Sequence, residues 1–231
     1  MAFLIGGFTM AVFDREAAIY DQWYDTNLGK VVDDVETECA FRLFSVPAGS
    51  RVLDVGCGTG NFSLKLAQRG CRVVGADLSA AMLSVAQKKV AAEGLAVDLA
   101  RMDAHRLAFA DASFDGVLAM ATFEFLVRPE QALDEMLRVA RPGSPIVVGT
   151  ITRESDWGKL YCSPQFEETV FRYARLRAPE EMRQLKPEHL VDDQVCLYFS
   201  PDVDVAHLDL GQEQEQREDK QGGFVCLLWR K

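Results

Sequence analysis

The stretch Val52–Asn61 (VLDVGCGTGN) decides the fold of this chain. Its apolar first half is typical of a β-strand, and the strand runs directly into a turn that carries glycines at alternate positions. Glycines so placed let the backbone take positive φ angles and bring its N–H groups against a ligand. A helical pattern opens at Asn61, and a helix start adds unsatisfied N–H donors and a partial positive charge. The stretch therefore predicts a binding site for an anionic or hydroxyl-rich ligand at the carboxyl end of a strand.

Strands and helices alternate regularly on the carboxyl side of the break at Pro47–Ser50. The predicted strands are Arg51–Val55, Arg72–Ala76, Leu95–Ala100, Gly116–Met120 and Pro145–Thr150. The predicted helices are Asn61–Arg69, Ala80–Ala92 with Ser79 as N-cap, and one that opens at Pro129 and ends before Pro142. Such alternation predicts parallel strands joined by right-handed crossovers and covered by helices on both faces.

The pattern is less regular at both ends of the chain. Helices are predicted at Arg15–Trp23, Lys30–Phe44, Glu167–Arg175 and Pro179–Leu185, and late strands at Gln194–Ser200 and Gly223–Arg230. The two late strands suggest a hairpin at the sheet edge, and the polar stretch Gly211–Gln221 between them is predicted to be an exposed loop. One sheet accounts for all of these elements, so residues 1–231 are predicted to form a single domain.

Composition restricts the class of partner. The chain has 231 residues, 48% of them hydrophobic and 26% charged, which is typical of a globular protein. A net charge of −10 disfavours nucleic acid as the main partner, because binding to its backbone depends on Lys and Arg. No apolar run approaches the roughly 20 residues of a membrane span. The opening Met1–Phe13 is apolar but lacks a basic n-region and a small-residue cleavage site, so a cytoplasmic protein is predicted.

The six cysteines are widely scattered. They form no C-x-x-C pair, and none lies near His105, His189 or His207 at the spacing of metal ligands. Buried thiols in a reducing cytosol are therefore expected, with no metal site. The three histidines are isolated from one another and are expected to be structural or to face solvent.

Three acids stand at the ends of three predicted strands: Asp54, Asp77 and Asp103. Ligands of open parallel sheets bind outside the carboxyl ends of the strands. Asp77 is placed to accept both hydroxyls of a ribose, and Asp103 to accept from an exocyclic amine. Each acid alone also suits a turn or a helix cap. Together they predict a pocket for an adenosine-like ligand.

The glycine spacing separates two such ligands. A dinucleotide fold uses G-x-G-x-x-G, whose third glycine allows close packing of helix and strand beside a pyrophosphate. This chain has G-x-G-x-G and no later glycine before the helix, and it has no G-x-x-x-x-G-K-[ST] phosphate loop. The pattern favours a nucleoside that carries an amino-acid tail over a pyrophosphate.

With these residues, the sequence resembles the class I S-adenosylmethionine-dependent methyltransferases. More narrowly, it is similar to the methyltransferase type 11 branch, which includes the ubiquinone and menaquinone biosynthesis C-methyltransferases. The resemblance is strong across residues 50–150. It is carried by Val52–Asn61, by Gly75–Leu83 (GADLSAAML), by Asp103–Phe109 (DAHRLAF) with Phe114-Asp115 next, and by Leu137–Gly143 (LRVARPG).

The resemblance implies a Rossmann-like, mostly parallel seven-stranded sheet with helices on both faces and a C-terminal antiparallel edge hairpin. It further implies an N-terminal helical lid over residues 1–45, a cofactor-binding core over 50–150, and substrate-side helices and edge strands over 151–231. The implied cofactor is S-adenosylmethionine, and the implied reaction is in-line displacement of its methyl group by a nucleophilic atom of a small molecule.

By the same resemblance, the glycine loop would cradle the methionine portion and Asp54 would orient the loop or the ammonium group. Asp77 would bind the ribose diol, Leu78 or Met82 would pack on the adenine, and Asp103 with the Ala104 N–H would read its edge. Met120 and Ala121 would lie beside the sulfonium, and Tyr20 of the lid would touch the cofactor. The implied cofactor-binding residues are Tyr20, Asp54, Gly56, Cys57, Gly58, Gly60, Asp77, Leu78, Met82, Asp103, Ala104, Met120 and Ala121.

The residues of the acceptor side are less determined. Many relatives place a His in the stretch after the fourth strand, where this chain has Glu124, which is either a catalytic base or a cap or ion-pairing residue of the loop. Trp23 and Tyr24 are either lid or core residues. Arg153, Trp157 and Tyr161 are candidates for the substrate side or for ordinary packing. Aromatic residues between 157 and 173 would bind either a substrate or a second subunit, which leaves a homodimer open.

Three rival functions differ from this prediction. A nicotinamide-dependent oxidoreductase is disfavoured by the missing third glycine. A non-catalytic protein that binds S-adenosylmethionine stays open because no base is evident. A methyltransferase acting on RNA or protein conflicts with the acidic balance. The atom that accepts the methyl group is left undetermined.

Overall fold

The computed structural model describes residues 13–208 and 221–231. The predictions for the apolar opening of the chain and for the polar stretch 211–221 therefore fall outside the described residues, apart from one residue of each. The strands are β1 Arg51–Val55, β2 Arg72–Asp77, β3 Val97–Arg101, β4 Gly116–Met120, β5 Pro145–Ile151, β6 Leu190–Cys196 and β7 Phe224–Arg230. The α-helices are α1 Gln22–Asp25, α2 Asn27–Leu43, α3 Asn61–Gln68, α4 Ala80–Glu93, α5 Pro129–Val139, α6 Asp156–Tyr161 and α7 Pro179–Arg183.

All seven strands form one sheet in the order β3-β2-β1-β4-β5-β7-β6. The pairs among the first five strands are parallel, and β7 is antiparallel to both β5 and β6. The predicted Rossmann-like sheet with an antiparallel edge pair is confirmed. The strand order reverses between β1 and β4, because the chain first builds outward to β3 and then returns. In sheets of this kind the crevice at the reversal holds the ligand.

The core lies on both faces of the sheet. On one face, the apolar sides of α2 and α3 pack on residues such as Val52, Leu118 and Val147. On the other face, α5 covers Leu53, Val117 and Val148. Every residue of β4 and β5 is buried, as expected for central parallel strands covered on both sides. The described helices include none that is both long enough and apolar enough to cross a lipid bilayer.

Helix starts follow the local chemistry of the sequence. The Thr26 hydroxyl accepts from the Gly29 N–H (2.9 Å) and opens α2, and Ser79 accepts from the Met82 N–H (3.1 Å) and opens α4. The helix predicted over Arg15–Trp23 is interrupted instead: residues 13–16 are helical, a series of turns follows, and α1 occupies Gln22–Asp25.

Two late elements were predicted wrongly. The strand placed at Gln194–Ser200 is β6, Leu190–Cys196, and it ends before Leu197, whose φ of +58° leaves the extended region. The helix predicted at Glu167–Arg175 is absent, and a 3-10 turn forms there at Val170–Tyr173. The Thr169 hydroxyl accepts from the Phe171 N–H (3.2 Å) and starts this new turn, so no continuous helix runs through the segment.

Candidate functional site

A cavity of about 170 Å³ opens at the carboxyl ends of β1, β2 and β4, at the reversal of strand order. Of the thirteen residues that the resemblance assigns to a cofactor, Gly60 alone is absent from its wall. The twelve that line the cavity are Tyr20, Asp54, Gly56, Cys57, Gly58, Asp77, Leu78, Met82, Asp103, Ala104, Met120 and Ala121. The sheet therefore brings together residues from segments separated by a hundred positions.

The glycine loop has the backbone shape that its sequence demands. Gly56 and Gly58 have φ angles of +71° and +53°. The N–H groups of Gly56 and Cys57 both donate to the Ala76 carbonyl oxygen (2.7 and 3.1 Å), which ties the loop to β2. A Cβ at Gly56 would lie 2.3 Å from the Thr122 hydroxyl oxygen, whereas a Cβ at Gly58 would meet nothing within 4 Å. Gly56 is thus required by packing, and Gly58 leaves the face of the loop open to a ligand.

Gly60 serves the helix behind the loop rather than the cavity wall. Its φ is +85°, it is the residue before α3, and its N–H donates to the Cys57 carbonyl (2.8 Å). A Cβ there would lie 3.1 Å from the Ala86 side chain of α4. Gly60 therefore sets the start of α3 and its close approach to α4 without facing the ligand space.

Asp77 ends β2 and faces the glycine loop. One carboxylate oxygen accepts from the Gly58 N–H (2.9 Å), and the other accepts from the Ser79 N–H (2.8 Å). Burial raises the pKa of Asp77, and these backbone N–H groups act against the shift. Each carboxylate oxygen has a further lone pair, so the group fixes the loop and can still accept hydrogen bonds from a ligand.

Asp54 lies deeper, beneath the same loop. Its side chain is buried, and one of its oxygens accepts from the Ser63 hydroxyl of α3 (2.6 Å). Burial raises the pKa of Asp54 to about 7, and the negative charge of Asp77 adds to the rise. The cavity therefore contains two neighbouring carboxyl groups that a nearby cation would stabilise in their ionised form.

Asp103 and His105 lie at the far end of the cavity. One Asp103 oxygen accepts from the His105 backbone N–H (2.9 Å) and lies 2.7 Å from His105 Nδ1. The other ring nitrogen, Nε2, is buried and has no hydrogen-bond partner among the described residues. His105 was expected to be structural or to face solvent, but the structure places it on the cavity wall.

The segment before α2 packs over the glycine loop. The Asp21 carboxylate accepts from the Thr59 hydroxyl (2.7 Å) and from Lys89 Nζ of α4 (3.0 Å). Tyr20 and Tyr24, with ring centroids 6.0 Å apart, line the cavity from this segment. Trp23, the third lid candidate, is partly exposed and does not line the cavity. These contacts hold the segment around Asp21 against the glycine loop and α4.

Glu124 follows β4 in the 3-10 turn Phe123–Phe125, and its side chain is fully buried although it is not part of the cavity wall. Its Oε1 accepts from the Ile151 N–H (2.8 Å), and the Thr150 hydroxyl lies near the carboxyl group. Burial raises the pKa of Glu124. Glu124 forms no ion pair with a residue in the described ranges. Of its structural alternatives, a cap or an ion-pairing residue of the loop, the ion-pairing one therefore does not apply.

Several residues of the wall were missed by the sequence analysis. They are Phe13, Glu36, Asn61, Phe62, Met102, Thr122 and Phe125, with others near them. Glu36 stands in the middle of α2, among charged residues that resemble an ordinary solvent-facing helix surface. Nothing local separates it from Asp33 or Glu38, so only the packing of α2 against the sheet reveals it.

The three candidates for the substrate side lie in three different environments in the structure. Arg153 pairs with Glu154 and Glu181 at the surface (2.8 and 2.7 Å). Trp157 is a core residue whose indole N–H donates to the Phe199 carbonyl (2.8 Å). Tyr161 stacks on Phe171 with centroids 4.0 Å apart, next to the aromatic wall of the cavity.

Comparisons with known proteins agree with this geometry. Residues 53–148 match the family model of a methyltransferase domain. The phosphatidylethanolamine N-methyltransferase of Cereibacter sphaeroides is 38% identical over 139 residues, which are 58% of this chain and 67% of that protein. The chain belongs to the S-adenosylmethionine-dependent methyltransferase family.

Further relatives of this methyltransferase extend the likeness. The demethylmenaquinone methyltransferase of Clavibacter sepedonicus is 37% identical over 142 residues, 62% of this chain and 57% of that protein. The chain thus spans little more than half the length of that relative. A crystal structure from Thermotoga maritima, described as a possible histamine N-methyltransferase, superposes with a TM-score of 0.75 at 24% identity and covers 96% of this chain and 99% of its own. That likeness shows the fold.

The family prediction is confirmed by these matches, and the reported relatives support neither the oxidoreductase nor the non-catalytic alternative.

Proposed function

We propose that this chain binds S-adenosylmethionine in the cavity at the glycine loop and transfers its methyl group to a small molecule. One observation carries the proposal: the ends of three strands bring the loop, the carboxylates of Asp54 and Asp77, and the Asp103–Ala104 turn to a single cavity. Membership of the family indicates the class of reaction. The groups on this wall can bind the methionine, ribose and adenine parts of the cofactor.

The residues fit the cofactor in their chemistry. Gly58 leaves the loop face free for the methionine portion, and Asp54 offers a counter-charge for an ammonium group. Asp77 has spare lone pairs for a ribose diol. Leu78 and the buried Met82 provide apolar surface for an adenine ring. Tyr20, Met120 and Ala121 also line the cavity and complete its wall.

When bound, the cofactor supplies a methyl group on a positively charged sulfur, which is already activated for displacement. The chain must then hold the acceptor atom in line with that carbon and exclude water, and orientation of this kind removes much of the barrier. The aromatic rings of Phe13, Tyr20 and Phe125 close the cavity on the side of β4. A proton that the acceptor carries must pass to a nearby group or to solvent.

Calorimetric titration tests the cofactor assignment. The protein is expected to bind S-adenosylmethionine and S-adenosylhomocysteine at one site, and to give no heat with NAD⁺. The loop lacks the third glycine that lets a helix pack beside a pyrophosphate. Binding of NAD⁺, or failure to bind either sulfur nucleoside, would overturn the proposal. The cytoplasmic location and the disfavoured role of nucleic acid remain predictions from composition.

A further inference from the structure

Part of the cavity wall is aromatic, and most of its rings belong to residues that the cofactor assignment does not use. Phe13 and Phe125 line it with an edge-to-face contact of 4.8 Å between ring centroids. Phe171 stands behind Phe125 (6.0 Å) and stacks on Tyr161 (4.0 Å). Tyr20 and Tyr24 line the same region from the N-terminal segment. Ring faces assembled around a cavity attract organic cations through their quadrupoles.

Two carboxyl groups accompany these rings. Glu36 of α2 is part of the cavity wall, and Glu124 is fully buried next to the lining residue Phe125. The Glu124 Oε2 atom has no hydrogen-bond partner among the described residues, although its companion Oε1 is bonded to the Ile151 N–H. A buried carboxyl oxygen without a partner is costly in either protonation state, since it lacks a donor when ionised and an acceptor when protonated. Because Glu124 does not line the cavity, it acts on this region as a second buried acid, and Glu36 is the carboxyl group that a ligand can contact.

Glu36 and Glu124 both interact electrostatically with the same two tyrosines. Both Glu36 and Glu124 raise the pKa of Tyr20 and of Tyr161, after burial as the main cause. Burial also raises the pKa of Glu36 well above its ordinary value, and the charges of Asp33 and Glu124 add to the rise. The two carboxyl groups and the tyrosines are therefore close enough to interact electrostatically, and a bound cation would favour the ionised form of the acids.

Lys65 and Arg177 act electrostatically on these acids, but neither forms an ion pair with them. Lys65, which acts on Glu36 from α3, forms its ion pair with Asp33 (2.5 Å) and also donates to Thr37 (2.6 Å). Arg177 acts on Glu124 electrostatically, but its guanidinium group donates hydrogen bonds to the carbonyl oxygens of Phe123 and Leu126 (2.8 and 3.3 Å). Neither Glu36 nor Glu124 forms an ion pair within residues 13–208 and 221–231. Glu36 therefore has no ion-pair partner among the described residues, and a cationic ligand can supply one.

We propose that the methyl acceptor is the nitrogen of a small amine, bound as an ammonium ion between Glu36 and the aromatic wall, with Glu124 as a second acid buried behind that wall. The inference rests on the proposed methyltransferase function and names its class of substrate. An ammonium ion donates charge-assisted hydrogen bonds, which suits the Glu36 carboxylate on the wall. Its organic substituent would lie on the rings of Phe125 and Tyr20.

The reaction balances with one proton released. The ammonium passes one N–H proton to the Glu36 carboxylate, which lines the cavity, and the nitrogen keeps the electron pair of that bond as a free pair. That pair forms the new N–C bond while the bond between sulfur and the methyl carbon breaks, and its electron pair stays on the sulfur as a neutral thioether. The methylated ammonium product leaves, and the proton on the carboxyl group passes to solvent.

Paired probes test the charge of the acceptor directly. In the presence of S-adenosylhomocysteine, the affinities of butylamine, 2-phenylethylamine and ethanolamine would be measured beside those of butanol, 2-phenylethanol and ethylene glycol. At least one amine is expected to bind about tenfold or more tightly than its matched alcohol, as a charge-assisted hydrogen bond of about 1.5–3 kcal/mol allows. With S-adenosylmethionine, mass spectrometry should then detect the N-methylated form of that amine.

The variant Glu36→Gln should abolish the preference for the amine, and Glu124→Gln should reduce it; both should leave the affinity for S-adenosylhomocysteine within about twofold, a change of less than 1 kcal/mol. Glu38→Gln is the matched control, because Glu38 lies on the same helix and pairs with Arg42 at the surface. If Glu124→Gln fails to fold, Glu36→Gln alone decides. Equal affinity of every amine and its alcohol, or an unchanged preference in Glu36→Gln, would overturn the inference. Failure of the unaltered protein to bind S-adenosylhomocysteine would instead contradict the proposed function.

Discussion

Replacing Asp77 by alanine is expected to weaken the binding of S-adenosylhomocysteine by roughly ten- to a hundredfold. A charge-assisted hydrogen bond contributes about 1.5–3 kcal/mol, and each 1.4 kcal/mol is about a tenfold change in affinity. The structure adds a second cause, because the same carboxylate holds the Gly58 and Ser79 N–H groups and therefore the shape of the loop. Isothermal titration calorimetry on the two proteins measures the effect.

Asp98→Ala is the matched control for this prediction. Asp98 is an exposed acid of the neighbouring strand β3 and lies outside the cavity wall, so its removal changes the net charge equally without touching the site. Its affinity for S-adenosylhomocysteine should equal that of the unaltered protein. Unchanged affinity in Asp77→Ala, with the variant still folded by thermal melting, would remove Asp77 from the ribose site.

The second large effect is a pH dependence that arises from Asp54. Its pKa in the ligand-free protein is raised to about 7, chiefly by burial. If the ligand's ammonium group pairs with Asp54, binding requires the ionised carboxylate, so a proton must leave below pH 7. The affinity for S-adenosylhomocysteine should then rise with pH by up to about tenfold per unit between pH 5 and 7 and level off above. Calorimetry across this range, in buffers of different ionisation enthalpy, also counts the released proton.

The variant Asp54→Asn distinguishes the contribution of Asp54 to this pH dependence from the contributions of neighbouring acids. The amide oxygen can still accept from the Ser63 hydroxyl, but the side chain no longer titrates. The variant should lose most of the slope, and the remainder would come from Asp77, whose pKa is also raised. An identical slope in Asp54→Asn would show that another group carries the pH dependence.

The same shift fixes the sign of its effect on folding. In the unfolded chain Asp54 loses its proton near its ordinary pKa of 3.8, whereas in the fold it keeps the proton to about pH 7. Between these values the folded state binds more protons than the unfolded state. The contribution of Asp54 to the free energy of unfolding of the ligand-free protein is therefore complete below about pH 4 and is lost as the pH rises toward 7.

The parts of the fold that could be predicted are those in which local chemistry and tertiary position coincide. The glycine loop, the helix starts at Asn61 and Ser79, and the acids at strand ends follow from the sequence because parallel strands bring their carboxyl ends to one edge. Asp54, Asp77 and Asp103 meet in the cavity for that reason. Gly60 follows the same motif but serves helix packing, which spacing alone does not distinguish.

The parts that could not be predicted depend on packing between distant segments. The edge strand β6 contains Asp192 and Asp193 and therefore lacks the apolar run by which a strand is found, whereas the apolar run after it bends away at Leu197. Glu36 has the local surroundings of a surface residue, and only the docking of α2 carries it to the cavity. His105 reaches the wall through its hydrogen bonds with Asp103, which no helical or strand pattern encodes.

A crystal structure of the protein with S-adenosylhomocysteine bound tests the central claim most directly. The account predicts both ribose hydroxyls within hydrogen-bond distance of the Asp77 carboxylate, the amino-acid tail along the open face of Gly58, and the sulfur directed toward Glu36 and Phe125. Density for the nucleoside elsewhere on the molecule, or an Asp77 side chain that makes no contact with the sugar, would contradict it.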